Sequence, residues 1–217
     1  MSPGESRTVL ILRRMKRKPL SMWAWSGWNP AKARPEELRF DLLDGNGRSI
    51  GKLVCTKFEM RLRSLLFNTS TPWGDGRVES TKDGPRVLLN DRELVLMKMY
   101  VLKGKTDFVF PNGTVMEFGR MKGKRNDIAY SGTDGSVGFF EEAGTLPEGA
   151  GNRPIPMTRE EIKALPKEDR PRTVETDNYI EYRIDVGGTL PVKEEDLVRA
   201  LCILACFGRL MDEMTSA

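Results

Sequence analysis

The sequence predicts a mainly β protein in which antiparallel strands surround a hydrophobic C-terminal helix. Two observations carry that expectation. Leu197 to Met211 reads Leu-Val-Arg-Ala-Leu-Cys-Ile-Leu-Ala-Cys-Phe-Gly-Arg-Leu-Met, apolar almost all the way round a helical wheel, and a helix without a polar face has to be enclosed by other protein. Crossing a bilayer takes about 20 apolar residues, whereas this run is shorter and is interrupted by Arg199 and Arg209. Short β-branched and aromatic runs, separated by Gly, Asn and Asp turns, recur from the N-terminus to about Glu142. That is the signature of successive hairpins, so the enclosing material is sheet. A hydrophobic share of 39% is enough for a core, and the chain is expected to form one domain over 1–217.

The first strand falls at Thr8–Arg13, which is β-branched and apolar. Leu38–Leu43, the turn Asp44-Gly45-Asn46-Gly47 and Ser49–Lys57 form a hairpin. Leu94–Leu102 is apolar on both faces and is expected as a buried strand. Phe108–Phe110 and Val115–Met121 flank Pro111-Asn112-Gly113, where Asn-Gly supplies the positive φ angles of a tight hairpin. Ile128–Ser131 and Val137–Glu142 do the same around Thr133-Asp134-Gly135. These turns echo one another, as they do in an up-and-down meander. The hairpin reading outweighs a phosphate loop, since Gly45-Asn46-Gly47 leads into a strand and no Gly-Lys-Ser/Thr follows.

From 144 to 178 the rhythm breaks into a Pro-rich crossover with Pro147, Pro154, Pro156, Pro166 and Pro171. Within it, Thr158-Arg159-Glu160-Glu161 has capping-box spacing and Pro166 would stop the short helix that follows. Tyr179–Val186 alternates as a strand, and Gly187-Gly188 turns the chain toward the final helix. Glu194, Glu195 and Asp196 occupy that helix's first turn, where carboxylates complement the exposed amide dipoles.

The order of elements over nearly the whole chain resembles the tubby C-terminal-like superfamily, which includes the LURP-one-related proteins and the phospholipid scramblases. Thr8–Arg14, the hairpin from Phe40 to Ile50 and the ending Tyr182–Met214 carry the likeness. The resemblance implies a closed antiparallel barrel of about twelve strands around a buried C-terminal helix; the Pro-rich segment from Gly144 to Pro171 departs from it as an insertion. It also implies a non-enzymatic binding or scaffold role, with anionic phospholipid headgroups as the ligand class. Physics agrees with closure, because a closed barrel leaves no sheet edge. In such a core Ala200, Ala205 and Gly208 would let strands approach the helix. Leu201, Ile203, Leu204 and Phe207 would each stabilise the fold by about 1.5–3 kcal/mol on burial.

The chain has no histidine, which removes Ser–His–Asp and Cys–His chemistry and every histidine metal site. No catalytic residue, cofactor or metal is expected. Asp44-x-Asn46-x-Arg48 begins like a calcium loop but puts a cation where an oxygen ligand belongs. Pro191 to Asp196 lacks the alternating acidic pattern that the scramblase likeness would ask for. Of three cysteines, Cys202 and Cys206 lie one helical turn apart in the apolar run, as small hydrophobes in a reducing compartment. The first residues lack a signal-peptide core, so a cytoplasmic protein, peripheral to a membrane, is expected.

The net charge of +4 is concentrated. Residues 1–35 carry eight Lys and Arg against Glu5 alone, a local charge of +7 that leaves −3 for the rest. Arg13, Arg14, Lys16, Arg17 and Lys18 precede Trp23, Trp25 and Trp28, and Lys122, Lys124 and Arg125 form a second basic turn. Cations beside Trp suit an anionic membrane surface, where each cation adds about 1 kcal/mol of attraction. The same composition describes single-stranded nucleic-acid binding, by phosphate contact and base stacking; this and a scramblase-like lipid-handling role are the rival readings. The plainest reading packs Trp23 and Trp25 into the barrel and leaves the cations as a solvated hairpin.

Overall fold

The structure, a computed structural model, describes residues 7–15, 38–61, 64–100, 104–120, 127–145 and 178–215. Twelve antiparallel strands form one closed barrel. In chain order they are β1 (Arg7–Met15), β2 (Arg39–Asp44), β3 (Ser49–Arg61), β4 (Ser64–Thr71), β5 (Gly74–Thr81) and β6 (Gly84–Leu89), then β7 (Arg92–Tyr100), β8 (Lys105–Val109), β9 (Val115–Arg120), β10 (Ile128–Ser131), β11 (Gly135–Thr145) and β12 (Asn178–Gly188). Each strand pairs with its chain neighbours, and β1 closes the ring on β12, with Arg7 opposite Gly187 and Met15 opposite Tyr179. A single helix among the described residues, α1 (Glu194–Thr215), packs against the strands.

Period-two alternation decides what faces inward. On β12, Ile180, Tyr182, Ile184 and Val186 are core; on β9, Met116 and Phe118; on β3, Leu53 and Cys55. These side chains and Leu197, Ala200, Leu201, Cys202, Ile203 and Cys206 of α1 form one cluster. The lumen is therefore a packed core and not a channel. Aromatic contacts finish it: Phe108 lies 4.6 Å from Phe118, and Phe139 stacks on Tyr182 at 5.6 Å.

The hairpin of β2 and β3 turns where the sequence places it. The Asp44 carboxylate accepts the amides of Asn46 at 2.9 Å and Arg48 at 2.8 Å, so its oxygen is committed to the turn, as in an Asx motif. The β8–β9 loop differs in detail from expectation. Only Gly113 has positive φ, at 84°, while the Asn112 side chain accepts the Thr114 amide. A type I′ pair does occur, at Asn90 (φ 51°) and Asp91 (φ 61°) between β6 and β7.

Three further expectations are corrected. β7 is buried on both faces only at Leu94 and Val95; Met99 is 57% exposed and Tyr100 41%, because the strand runs on to the barrel's rim. On α1, Leu204, Phe207 and Met211 are half-buried and Gly208 is exposed. A Cβ at Gly208 would meet nothing within 4 Å. The close approach is made instead by Gly76 on β5, whose Cβ would come within 2.9 Å of Ile203 Cδ1. The helix proposed after Thr158 lies outside the described residues.

At its start, α1 is tied to the wall by a two-pronged ion pair. Arg92 donates to both Asp196 oxygens, at 3.0 and 2.6 Å. That hydrogen-bonded guanidinium holds the Asp196 carboxyl below its ordinary value of 3.8. A carboxyl depressed in the folded state stabilises the fold fully above its unfolded value and loses that contribution as pH falls through the folded one. Arg92→Gln is therefore expected to lower stability at neutral pH by at most about 1 kcal/mol, since the arginine is more than half exposed and solvent screens the pair. The difference between variant and parent, followed by urea unfolding, should shrink as the pH is taken below 3.8.

Candidate functional site

Antiparallel up-and-down topology sorts every connection to one of two rims. One rim carries the connections 45–48, 72–73, 90–91, 110–114, 132–134 and 189–193. Most of these are tight turns, and their charges, Arg48 and Lys193 against Asp91 and Asp134, balance. The other rim carries the ends of the strands that bound 16–38, 62–63, 82–83, 101–104, 121–127 and 146–177. Met15 and Arg120 thus stand at the same rim. In the sequence, Lys16-Arg17-Lys18 follows Met15 and Lys122-Gly123-Lys124-Arg125 begins two residues after Arg120. Residue spacing alone could not reveal this juxtaposition, which follows from the number and direction of the strands between them.

Two of the eleven candidate residues are described. Arg13 points outward from β1 and forms an ion pair with Glu181, its register partner on β12. Glu181 is 6% exposed, so the pair is part of the wall. Arg14 points the opposite way, is 5% exposed, and lies near enough to Cys206 for its charge to act on that thiol. Both arginines are thus engaged in the barrel. Lys16, Arg17, Lys18, Trp23, Trp25, Trp28, Lys122, Lys124 and Arg125 lie outside the described residues. The fourth tryptophan, Trp73, is at the opposite rim, with the Arg199 guanidinium 5.7 Å from its ring centre.

The described features of the rim of Met15 and Arg120 that sequence reasoning missed are apolar. Met99 and Tyr100, both with exposed surface, end β7 on this side. The signal in the sequence was the apolar ending of this strand, which read as burial.

Ionisable groups elsewhere are structural in character. On the outer wall Arg77 bridges Asp91 at 2.8 Å and Glu79 at 3.4 Å, and Arg86 joins Glu79 to Glu93. Hydrogen bonding to Glu79 raises the Arg86 guanidinium further above its usual range. Among the described residues no group of three or more Cys, Asp or Glu could hold a metal ion. Cys55, Cys202 and Cys206 are buried and free of disulfides, and burial pushes the two helix thiols up well beyond the ordinary range. Because the thiolate is the reactive form, none of the three should react with a disulfide reagent in the native protein at mildly alkaline pH. All three should react in denaturant; rapid labelling of the native state would contradict the packing of α1.

The fold defines a class: an up-and-down barrel closed around its own C-terminal helix. No protein-family model, curated protein or solved structure matches the chain. Among the described residues no helix is long and apolar enough to cross a membrane.

Proposed function

We propose that this is a non-enzymatic binding module of the tubby-like type, whose basic rim docks on anionic phospholipid at a membrane surface. The observation that carries the reading is the convergence on one rim of the strand ends that lead into Lys16-Arg17-Lys18 and Lys122-Gly123-Lys124-Arg125. The filled lumen supports it too, since it leaves ligands only the outer wall and the rims. Apolar side chains at the same end supply surface that can follow the cations into the headgroup layer. On this reading the protein works as a peripheral scaffold in the cytoplasm.

The test uses the full chain and vesicles of phosphatidylcholine with increasing phosphatidylserine. Binding should rise with the anionic fraction and weaken with salt, because the attraction is screened beyond about 10 Å at 0.1 M. Replacing Lys16, Arg17 and Lys18 with Ser should abolish it and leave the melting temperature unchanged. Arg13→Ser and Arg14→Ser are expected to lower stability as well, since those side chains are engaged in the wall and core. Salt-insensitive or absent vesicle binding would overturn the proposal. Salt-sensitive quenching of Trp fluorescence by a single-stranded oligonucleotide, without vesicle binding, would favour a nucleic-acid partner.

A further inference from the structure

Two connections at the rim of tight turns carry the dipeptide Asn-Gly: Asn46-Gly47 between β2 and β3, and Asn112-Gly113 between β8 and β9. They form a matched pair. All four residues are exposed. Each glycine has a positive φ, 76° and 84°, and a Cβ on either would meet nothing within 4 Å. Each glycine amide donates to a carbonyl three residues back, Gly47 to Asp44 and Gly113 to Phe110, at 2.9 Å in both. The asparagine side chains differ. Asn112 Oδ1 accepts the Thr114 amide, two residues on, at 3.0 Å. The equivalent amide in the first turn, that of Arg48, is already taken by the Asp44 carboxylate at 2.8 Å. The Asn46 carboxamide is left with no hydrogen bond among the described residues.

That difference matters because an asparagine before glycine is open to attack by its own backbone, glycine having no side chain to shield its nitrogen. The Gly47 nitrogen gives up its proton and bonds to Asn46 Cγ. The Cγ–Nδ2 bond breaks, and the nitrogen leaves as ammonia with a proton in place of the one given up. One water then opens the cyclic imide. Opening at Cγ yields aspartate; opening at the main-chain carbonyl yields isoaspartate, whose backbone runs through the former side chain. One water is consumed and one ammonia released, with no oxidation or reduction. Ring closure requires the carboxamide to swing toward the glycine nitrogen. At Asn112 the bond from Thr114 must break first; at Asn46 nothing holds the group. The tie on the glycine amide is common to both turns and cancels. Either product adds a carboxylate beside Asp44, and isoaspartate also lengthens the backbone inside the span that the Asp44 carboxylate bridges. This site is at the rim opposite Met15 and Arg120 and does not depend on the membrane reading.

We propose that Asn46 is a site of spontaneous deamidation and isoaspartate formation in the native protein, while the turn at Asn112 holds the same chemistry back. The test ages the native full chain in mildly alkaline buffer made with heavy-oxygen water and maps its peptides by mass spectrometry. Asn46 should convert about fivefold faster than Asn112, the worth of one ordinary hydrogen bond. Asn90 should stay intact, since its carboxamide holds both the Asp75 amide and the Trp73 carbonyl. Each converted site should carry one heavy oxygen. In urea, where both turns are lost, the rates at Asn46 and Asn112 should converge. Asn46→Gln, which would need a larger ring, should remove the fast phase of ammonia release, and Asn112→Gln should leave it in place. The proposal is overturned if Asn112 converts as fast as Asn46 in the native protein, if neither outpaces Asn90, or if the difference between them persists in urea.

Discussion

Ile203→Asp is expected to abolish the cooperatively folded barrel. Ile203 has no exposed surface, belongs to the central cluster and touches the wall where Gly76 gives way to it. A carboxylate there has no water, and burying an unpaired charge costs several kcal/mol even after the group protonates. Total stabilities are about 5–15 kcal/mol, so loss of the folded state is the outcome to look for, by circular dichroism and by the absence of a urea transition. Two controls locate the effect. Ile203→Val removes one methyl group and should cost about 0.5–1.5 kcal/mol. Leu204→Asp, one residue on but only half-buried, should be milder, because its carboxylate is partly exposed to solvent. A cooperatively folded Ile203→Asp protein would refute the enclosed helix.

The second large effect is expected at Gly84, where β6 begins. Its φ of 137° lies where side chains are not tolerated, and a Cβ would stand 2.0 Å from the Met97 carbonyl oxygen. That obstacle is backbone and cannot swing aside. Gly84→Ala should destabilise by at least about 2 kcal/mol. Gly113→Ala separates the two causes: it also needs positive φ, 84°, but a Cβ there meets nothing. Its cost should be about 1 kcal/mol, the conformational term alone. Equal midpoints for the two variants in urea would mean that the β6–β7 pairing is looser than described.

The strands outside the middle of the chain were legible because their signals are local. Thr8–Arg13, the Asp44–Gly47 turn and the alternation of Tyr179–Val186 each depend on residues within one hairpin. The three strands from Ser64 to Leu89 were not assigned from sequence. Their inward faces carry Thr69, Thr71 and Gly76 among the apolar residues, which blurs alternation. Thr71 is buried yet satisfied, its hydroxyl bonded to the Gly74 carbonyl at 2.8 Å. Hydropathy cannot distinguish such a residue from an exposed one.

The candidate residues divide in the same way. Arg13 and Arg14 read with Lys16, Arg17 and Lys18 as one basic run, but adjacent residues of a strand point to opposite faces. The tertiary structure sends one arginine to Glu181 and the other into the core. Likewise, the apolar ending of α1 specified a helix that must be covered, but not where cover ends. The tertiary structure decides it, leaving Leu204, Phe207 and Met211 half-buried along the helix.

What the sequence by itself determined is the local grammar: hairpins, a capping acidic turn, a hydrophobic final helix, and the absence of histidine chemistry. Closure of β1 on β12, the shared rim of Met15 and Arg120, and the Arg13–Glu181 pair were decided only by the tertiary structure. The physical reason is range. Turn and periodicity preferences act over a few residues, whereas each of these features joins groups brought together by strand count, register and direction.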